Sequence, residues 1–113
     1  MTDQDPLETL TLELRRGAIV LAVLAQLQRE HYGYSLRKAL SERGLEIDEG
    51  TLYPLVRRLE KQGLLFSEWR EEAKRRKRFY TISPAGRDVL HRLLDEWRRM
   101  NASIATMLAE GGR

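Results

Sequence analysis

Residues 48–61, Asp-Glu-Gly-Thr-Leu-Tyr-Pro-Leu-Val-Arg-Arg-Leu-Glu-Lys, suit one kind of element: a helix with an apolar side and a basic side. Leu52, Leu55, Val56 and Leu59 recur at steps of one, three and four residues and share one face. Gly50, Pro54, Arg57, Arg58 and Lys61 fall on the opposite side, and Glu49 and Glu60 sit on the flank. Solvated helix faces usually mix charge signs; this one presents cations almost alone. Such a face suits a DNA major groove, where phosphates attract cations and side chains read base edges. Asp48 is placed to cap the helix, and Glu49 suits its first turn. Pro54 conflicts with the pattern, because an interior proline kinks a helix or removes a hydrogen bond. The two-sided pattern nevertheless continues beyond it.

The flanking elements follow from punctuation and periodicity. Pro6 and its neighbouring acids suggest a loose arm or a short leading helix. Leu14 to Gln28 reads as the first full helix, apolar all round from Ile19 to Ala25, and such a helix needs cover on both sides. A small domain covers one; Ile19 and Val23 are therefore expected to meet a second subunit. Gly33 breaks the chain, and Tyr34 to Arg43 forms a helix stopped by Gly44. Leu45-Glu46-Ile47 alternates as a short strand. After Gly63, Leu65 to Glu71 and Arg78 to Ile82 read as two strands around a basic connector, Ala73 to Lys77. Ser83-Pro84 starts a last helix that runs to about Leu108. The expected fold is mainly α with a small β-hairpin wing: a winged helix-turn-helix with a long C-terminal helix. Its parts are an acidic arm (1–13), the DNA-binding domain (14–83), a dimerisation helix (84–109) and a tail (110–113).

Charge is distributed unevenly. The first 14 residues carry −4, and the remaining 99 carry 20 basic and 13 acidic groups. A moderately basic body with a dense local cluster fits a polyanion partner. There is no cysteine, which excludes disulfides and thiolate metal sites and fits a reducing cytoplasm. The longest apolar run, Gly17 to Ala25, is nine residues, against about 20 for a membrane span. His31 and His91 are the only histidines, and neither pairs with carboxylates at metal or catalytic spacing. Asp95 and Glu96 are adjacent on a helix and point different ways. No enzyme, metal or cofactor is expected.

The words along the chain resemble one family. Tyr32-Gly33-Tyr34, Gly50-Thr51-Leu52-Tyr53-Pro54, Arg58-Leu59-Glu60-Lys61-Gln62-Gly63-Leu64-Leu65, Ser67-Glu68-Trp69-Arg70 and Phe79-Tyr80-Thr81-Ile82-Ser83-Pro84-Ala85-Gly86-Arg87 are similar to the PadR family of bacterial transcriptional regulators. The likeness runs from about Leu14 to about Trp97. It implies the small type, with one long C-terminal helix in place of a separate domain, and it accommodates Pro54, which family members carry. PadR wings usually place glycine and proline beside the arginine, whereas this tip has neither. Tyr32 stands where many relatives have histidine. His31 is displaced by one and reads as a surface residue.

Three groups of residues carry the expected function. Tyr34, Lys38, Thr51, Tyr53, Pro54, Arg57, Arg58 and Lys61 would meet double-stranded DNA, with Arg75, Arg76 and Lys77 of the pentad 74–78 holding flanking phosphates or dipping into the minor groove. Tyr53 lies between core and groove, and both packing and a phosphate contact fit it. Leu90, Leu94, Trp97, Asn101, Ile104 and Leu108 form a heptad seam for a homodimer, Asn101 being a polar register residue on it. By resemblance to members that use this tryptophan to stack planar hydrophobic ligands, Trp97 is either such a platform at the dimer centre, with Leu93 beside it and Met100 and Met107 as adaptable walls, or a dimer-core residue without ligand. The expected function is a repressor, ligand-responsive or not, that binds an inverted repeat as a homodimer. Two alternatives remain: a winged-helix interaction module docking an acidic partner, and a ligand-binding module that has lost DNA binding.

Overall fold

Residues 5–112 are described by the computed structural model; Met1–Gln4, the start of the expected acidic arm, and Arg113 of the tail lie outside them. The described elements are α1 (Pro6–Gln26), β1 (His31–Tyr32), α2 (Gly33–Glu42), α3 (Glu49–Lys61), β2 (Leu65–Glu72), β3 (Arg75–Ile82) and α4 (Pro84–Glu110). The strands form one antiparallel sheet in the order β1-β3-β2. Mainly helical, with a hairpin wing and a long last helix, the chain is the winged helix-turn-helix expected.

One core joins the four helices to β2 and β3. Val23, Leu24 and Leu27 of α1 meet Leu36 and Leu40 of α2, the apolar face of α3, Leu65, Ile82 and Leu90. Val23 is fully buried and Leu90 nearly so. Both were expected at a dimer interface; each instead faces its own domain. The sequence pattern did not reveal which side of α1 the domain would use.

Three boundaries differ from expectation. Asp5 accepts from the Leu7 N–H at 3.1 Å and Pro6 opens α1, so most of the expected arm is helix. Capping serine and proline start α4 in the same way: Ser83 Oγ accepts from the Gly86 N–H at 3.0 Å. Residues 45–47 form no strand, because the α2–α3 turn offers them no partner edge. The third strand is instead His31–Tyr32, paired with Tyr80 and Phe79 of β3.

The hairpin is longer and its turn tighter than expected. Only Ala73 and Lys74 connect the strands, with φ of 53° and 63°. A two-residue turn with both centres left-handed favours Asn-Gly, so alanine and lysine are held there at a cost in strain. Arg75, Arg76, Lys77 and Arg78 thus belong to β3 and alternate between its faces. Glu72 and Glu71 stand opposite Arg75 and Arg76, so the wing is less one-signed than the pentad alone implied.

Candidate nucleic-acid interface

α3 has the two sides that its pattern predicts. Leu52, Leu55, Val56 and Leu59 are buried, while Thr51, Pro54, Arg57, Arg58 and Lys61 are exposed and Tyr53 is half-buried. The Asp48 carboxylate accepts from the Thr51 N–H at 3.1 Å and from its hydroxyl at 2.9 Å. Helix α3 runs unbroken through Pro54. The hydrogen bond lost there would have gone to Gly50, which is exposed, so water can replace it. Among the described residues, Arg57, Arg58 and Lys61 carry no ion pair.

Two cavities flank this face. Arg58, Pro54 and Thr51 share one of about 370 Å³ with Arg16, Ile19 and Val20 of α1. Arg57 borders the other, about 230 Å³, with Tyr53, Tyr32, Trp69, Tyr80, Lys77 and Arg78 on its walls. Arg16 was missed in the sequence. Its signal was the Arg15-Arg16 pair, which the acids before it and the apolar run after it concealed. Arg15 donates to the Glu46 carbonyl at 2.9 Å, whereas Arg16 is exposed. Tyr34 and Lys38 lie on the outer side of α2 beside Glu42 and Glu46, in a separate cavity.

The wing cations divide into two kinds. Lys74, Arg75 and Arg76 are exposed, Arg76 lying 5.0 Å over the Trp69 ring. Lys77 is tied down, with Nζ 4.1 Å over the Tyr32 ring and 3.4 Å from Glu72. Arg78 is held more firmly, donating to Glu60 at 2.9 and 3.1 Å and to Ser67 Oγ at 2.9 Å. Partial burial alone would raise the Glu60 pKa, but hydrogen bonds from Ser67 and Arg78 outweigh it and hold the carboxylate below its usual range. On the other face, Arg70 is paired with Glu30 and Glu68 and stacks 4.6 Å over Phe79.

His31 is not the surface residue expected. It is half-buried in β1, between Gln26 Nε2 at 2.9 Å and Ser35 Oγ at 3.0 Å. Burial, then the charges of Arg43 and Arg29, push its pKa below the ordinary 6.5. The fold therefore prefers the neutral ring. That stability is complete above pH 6.5 and is lost as pH falls toward the depressed folded value. Melting temperatures measured on either side of this window should fall on acidification, and less so in His31→Gln. Equal falls in both proteins would contradict this role.

The last helix leaves the domain. Leu94 is half-buried against the core, but Leu93, Trp97, Met100, Asn101, Ile104 and Leu108 are exposed. Trp97, the expected ligand platform, is 46% exposed, and Met100 50%. An open cavity of about 390 Å³ on α4 is lined by Met100, Ile104 and Met107 but includes neither Trp97 nor Leu93. The first half of α1 adds a second apolar surface, with Leu7, Leu10, Leu12 and Leu14 all exposed. Ile19, expected at the interface, is half-buried beside α3. No described helix is long and apolar enough to cross a membrane.

Known proteins share this arrangement. The description of the Transcriptional regulator PadR-like family matches residues 20–92. A transcriptional regulator of Mycobacterium tuberculosis, Rv3488, is 41% identical over 91 residues, covering 77% of this chain and 85% of its own. The crystal structure of a PadR family transcriptional regulator from Eggerthella lenta superposes with a TM-score of 0.86 at 40% identity, covering 90% of this chain and 91% of that one. A transcriptional regulator from Clostridium thermocellum superposes at 0.75 with 31% identity, over 83% and 96% of the two chains. Family description, relatives and fold agree, and the chain belongs to the PadR-like family of transcriptional regulators.

Proposed function

We propose that this regulator is a repressor that binds an inverted-repeat operator as a homodimer. Two copies of α3 enter successive major grooves, led by Thr51, Pro54, Arg57, Arg58 and Lys61. Lys74, Arg75 and Arg76 of each wing hold flanking phosphates, and Arg16 adds a cation beside Arg58. The observation that carries this reading is the exposed face of α3: its three cations have no ion pair among the described residues, whereas Lys77 and Arg78 nearby are paired. Family membership supplies the regulatory role. The exposed seam of α4 and the leucines of α1 support the dimer. A planar hydrophobic ligand at Trp97, Leu93 and Met100 would need a second copy to complete its site. It would act by binding with different affinity to dimers with different separations of α3.

The test is a salt titration of binding to a duplex that the purified protein selects from a random-sequence library. If the dimer neutralises about 6–10 phosphates, log K against log[salt] should slope by roughly −5 to −9. Arg58→Ala should cost about 1–3 kcal/mol and relax the preference at one base pair. Substituting Arg75 and Arg76 should weaken all sequences alike and lower the slope by about 2 per wing. Failure to select any duplex would favour a module that docks an acidic protein.

A further inference from the structure

The basic surface contains an acid whose position is unfavourable for DNA. Glu60 lies one turn after Arg57 and next to Lys61, where a free carboxylate would repel phosphates. It is not free. Both its oxygens accept from Arg78 Nη2, at 3.1 and 2.9 Å, and one also accepts from the Ser67 hydroxyl. Arg78 Nε closes the ring by donating to Ser67 Oγ at 2.9 Å. Three elements meet here: α3, β2 and β3. The Arg78 guanidinium also lies 5.5 Å from the Trp69 ring centre and 5.8 Å from that of Tyr80.

The location gives the ring its consequence. At the base of the hairpin, Leu65 and Ile82 anchor β2 and β3 in the core. Ser67 and Arg78 lie further out along the same strands, toward the wing tip. The ring is therefore a second fastening between α3 and the hairpin, and two fastenings fix an angle that one leaves loose. It also engages the Arg78 charge through both Nε and Nη2. Residues three apart on a helix are neighbours, so a released Glu60 could pair with Arg57 instead. Held by Arg78, it leaves Arg57 unpaired.

We propose that Glu60 and Arg78 are positioning residues: their ion pair, closed through Ser67, sets the angle between α3 and the wing. DNA affinity then depends on an acid that does not touch DNA. This inference rests on the DNA-binding reading above and adds to it a role for a residue whose charge alone would oppose binding.

The experiment measures binding to the duplex selected by the wild-type protein, at a temperature where circular dichroism shows each variant folded. Glu60→Ala should bind more weakly, by about tenfold, equivalent to about 1.4 kcal/mol. Simple electrostatics predicts the reverse, because a negative charge has been removed. Arg78→Lys keeps the charge but cannot span Glu60 and Ser67 together, so it should weaken binding to a similar extent. The double variant should be no weaker than either single one, since both break the same ring. Replacing Glu60 and Arg78 together with alanine leaves no carboxylate to pair with Arg57, so the salt slope should stay at the wild-type value, whereas loss of a phosphate contact by Arg78 would lower it by about 1 per subunit. Unchanged or tighter binding by Glu60→Ala, or full affinity in Arg78→Lys, would overturn the proposal while leaving DNA binding intact. Selection of no duplex by the wild-type protein would overturn both.

Discussion

Gly86→Ala is expected to destabilise the protein by about 3–5 kcal/mol, through overpacking and a broken buried hydrogen bond. Gly86 is buried in the first turn of α4. A Cβ there would fall on the Leu64 carbonyl oxygen, far inside contact distance, and 2.7 Å from Ile82 Cγ1. The oxygen is not free to move, because it accepts from the Ser83 N–H at 3.0 Å. Ser83 also donates through its hydroxyl to the Gly63 carbonyl at 2.7 Å, and Ile82 N–H donates to Leu27 at 2.8 Å. Four segments are stitched together within this space. Domain stabilities are about 5–15 kcal/mol, so the variant should melt about 10–20 °C lower or fail to fold. Gly33→Ala is the control. Its Cβ would meet only the Tyr53 ring, at 3.2 Å, and a side chain can turn aside. Thermal melts of the two variants should separate clearly. A Gly86→Ala protein melting within a few degrees of wild type would contradict this account of the junction.

The sequence was most legible where one element carried its own signal. Helix α3 shows four buried leucine and valine positions at helical spacing, and no tertiary contact is needed to see which side they share. Ser83-Pro84 likewise names the start of α4. Asp5-Pro6 is the same signal, a capping side chain followed by proline, yet the acids around it left a loose arm and a short leading helix equally open. What remained illegible depended on distant partners. His31 and Tyr32 are too few to show a period, and they become a strand only because β3 offers an edge at Phe79 and Tyr80, far along the chain. Leu45-Glu46-Ile47 alternates properly but finds no edge.

The candidate site divides in the same way. Exposure of Arg57, Arg58 and Lys61 follows from helical geometry. The fate of the wing cations does not, because strand alternation and the partners Glu60, Ser67 and Glu72 decide it. A run of five cations reads as one patch in sequence. In the fold, two of the five are paired and three remain exposed. Val23 and Leu90 illustrate the limit for interfaces. Their apolar spacing was visible, but which apolar face a domain keeps for itself depends on where its other helices cross.

Replacing Ile104 and Leu108 together with aspartate is expected to split the proposed dimer and abolish tight binding to its proposed operator. Both side chains are more than half exposed in the single chain, on the part of α4 that projects beyond the domain core. With Trp97, Met100 and Met107 they expose an apolar stripe that an isolated helix gains nothing by keeping. A carboxylate at either position costs the folded monomer little, because water already reaches it. In a paired seam the same carboxylates would be buried without partners, and four of them per dimer would also repel one another. Light scattering at micromolar concentration should find wild type as a dimer and the variant as a monomer. The domain melt, in contrast, should change little, since the core holds neither residue. Operator binding reports the same event in a second way. One subunit carries half the phosphate contacts, so the salt slope should halve, to about −2.5 to −4.5, and affinity should fall by about 100-fold or more. A wild-type monomer across this range, or a variant that binds with the full slope, would place the dimer contact elsewhere. An intact dimer in the variant would shift attention to Leu7, Leu10 and Leu14, whose exposed side chains form another uncovered apolar surface of the described chain.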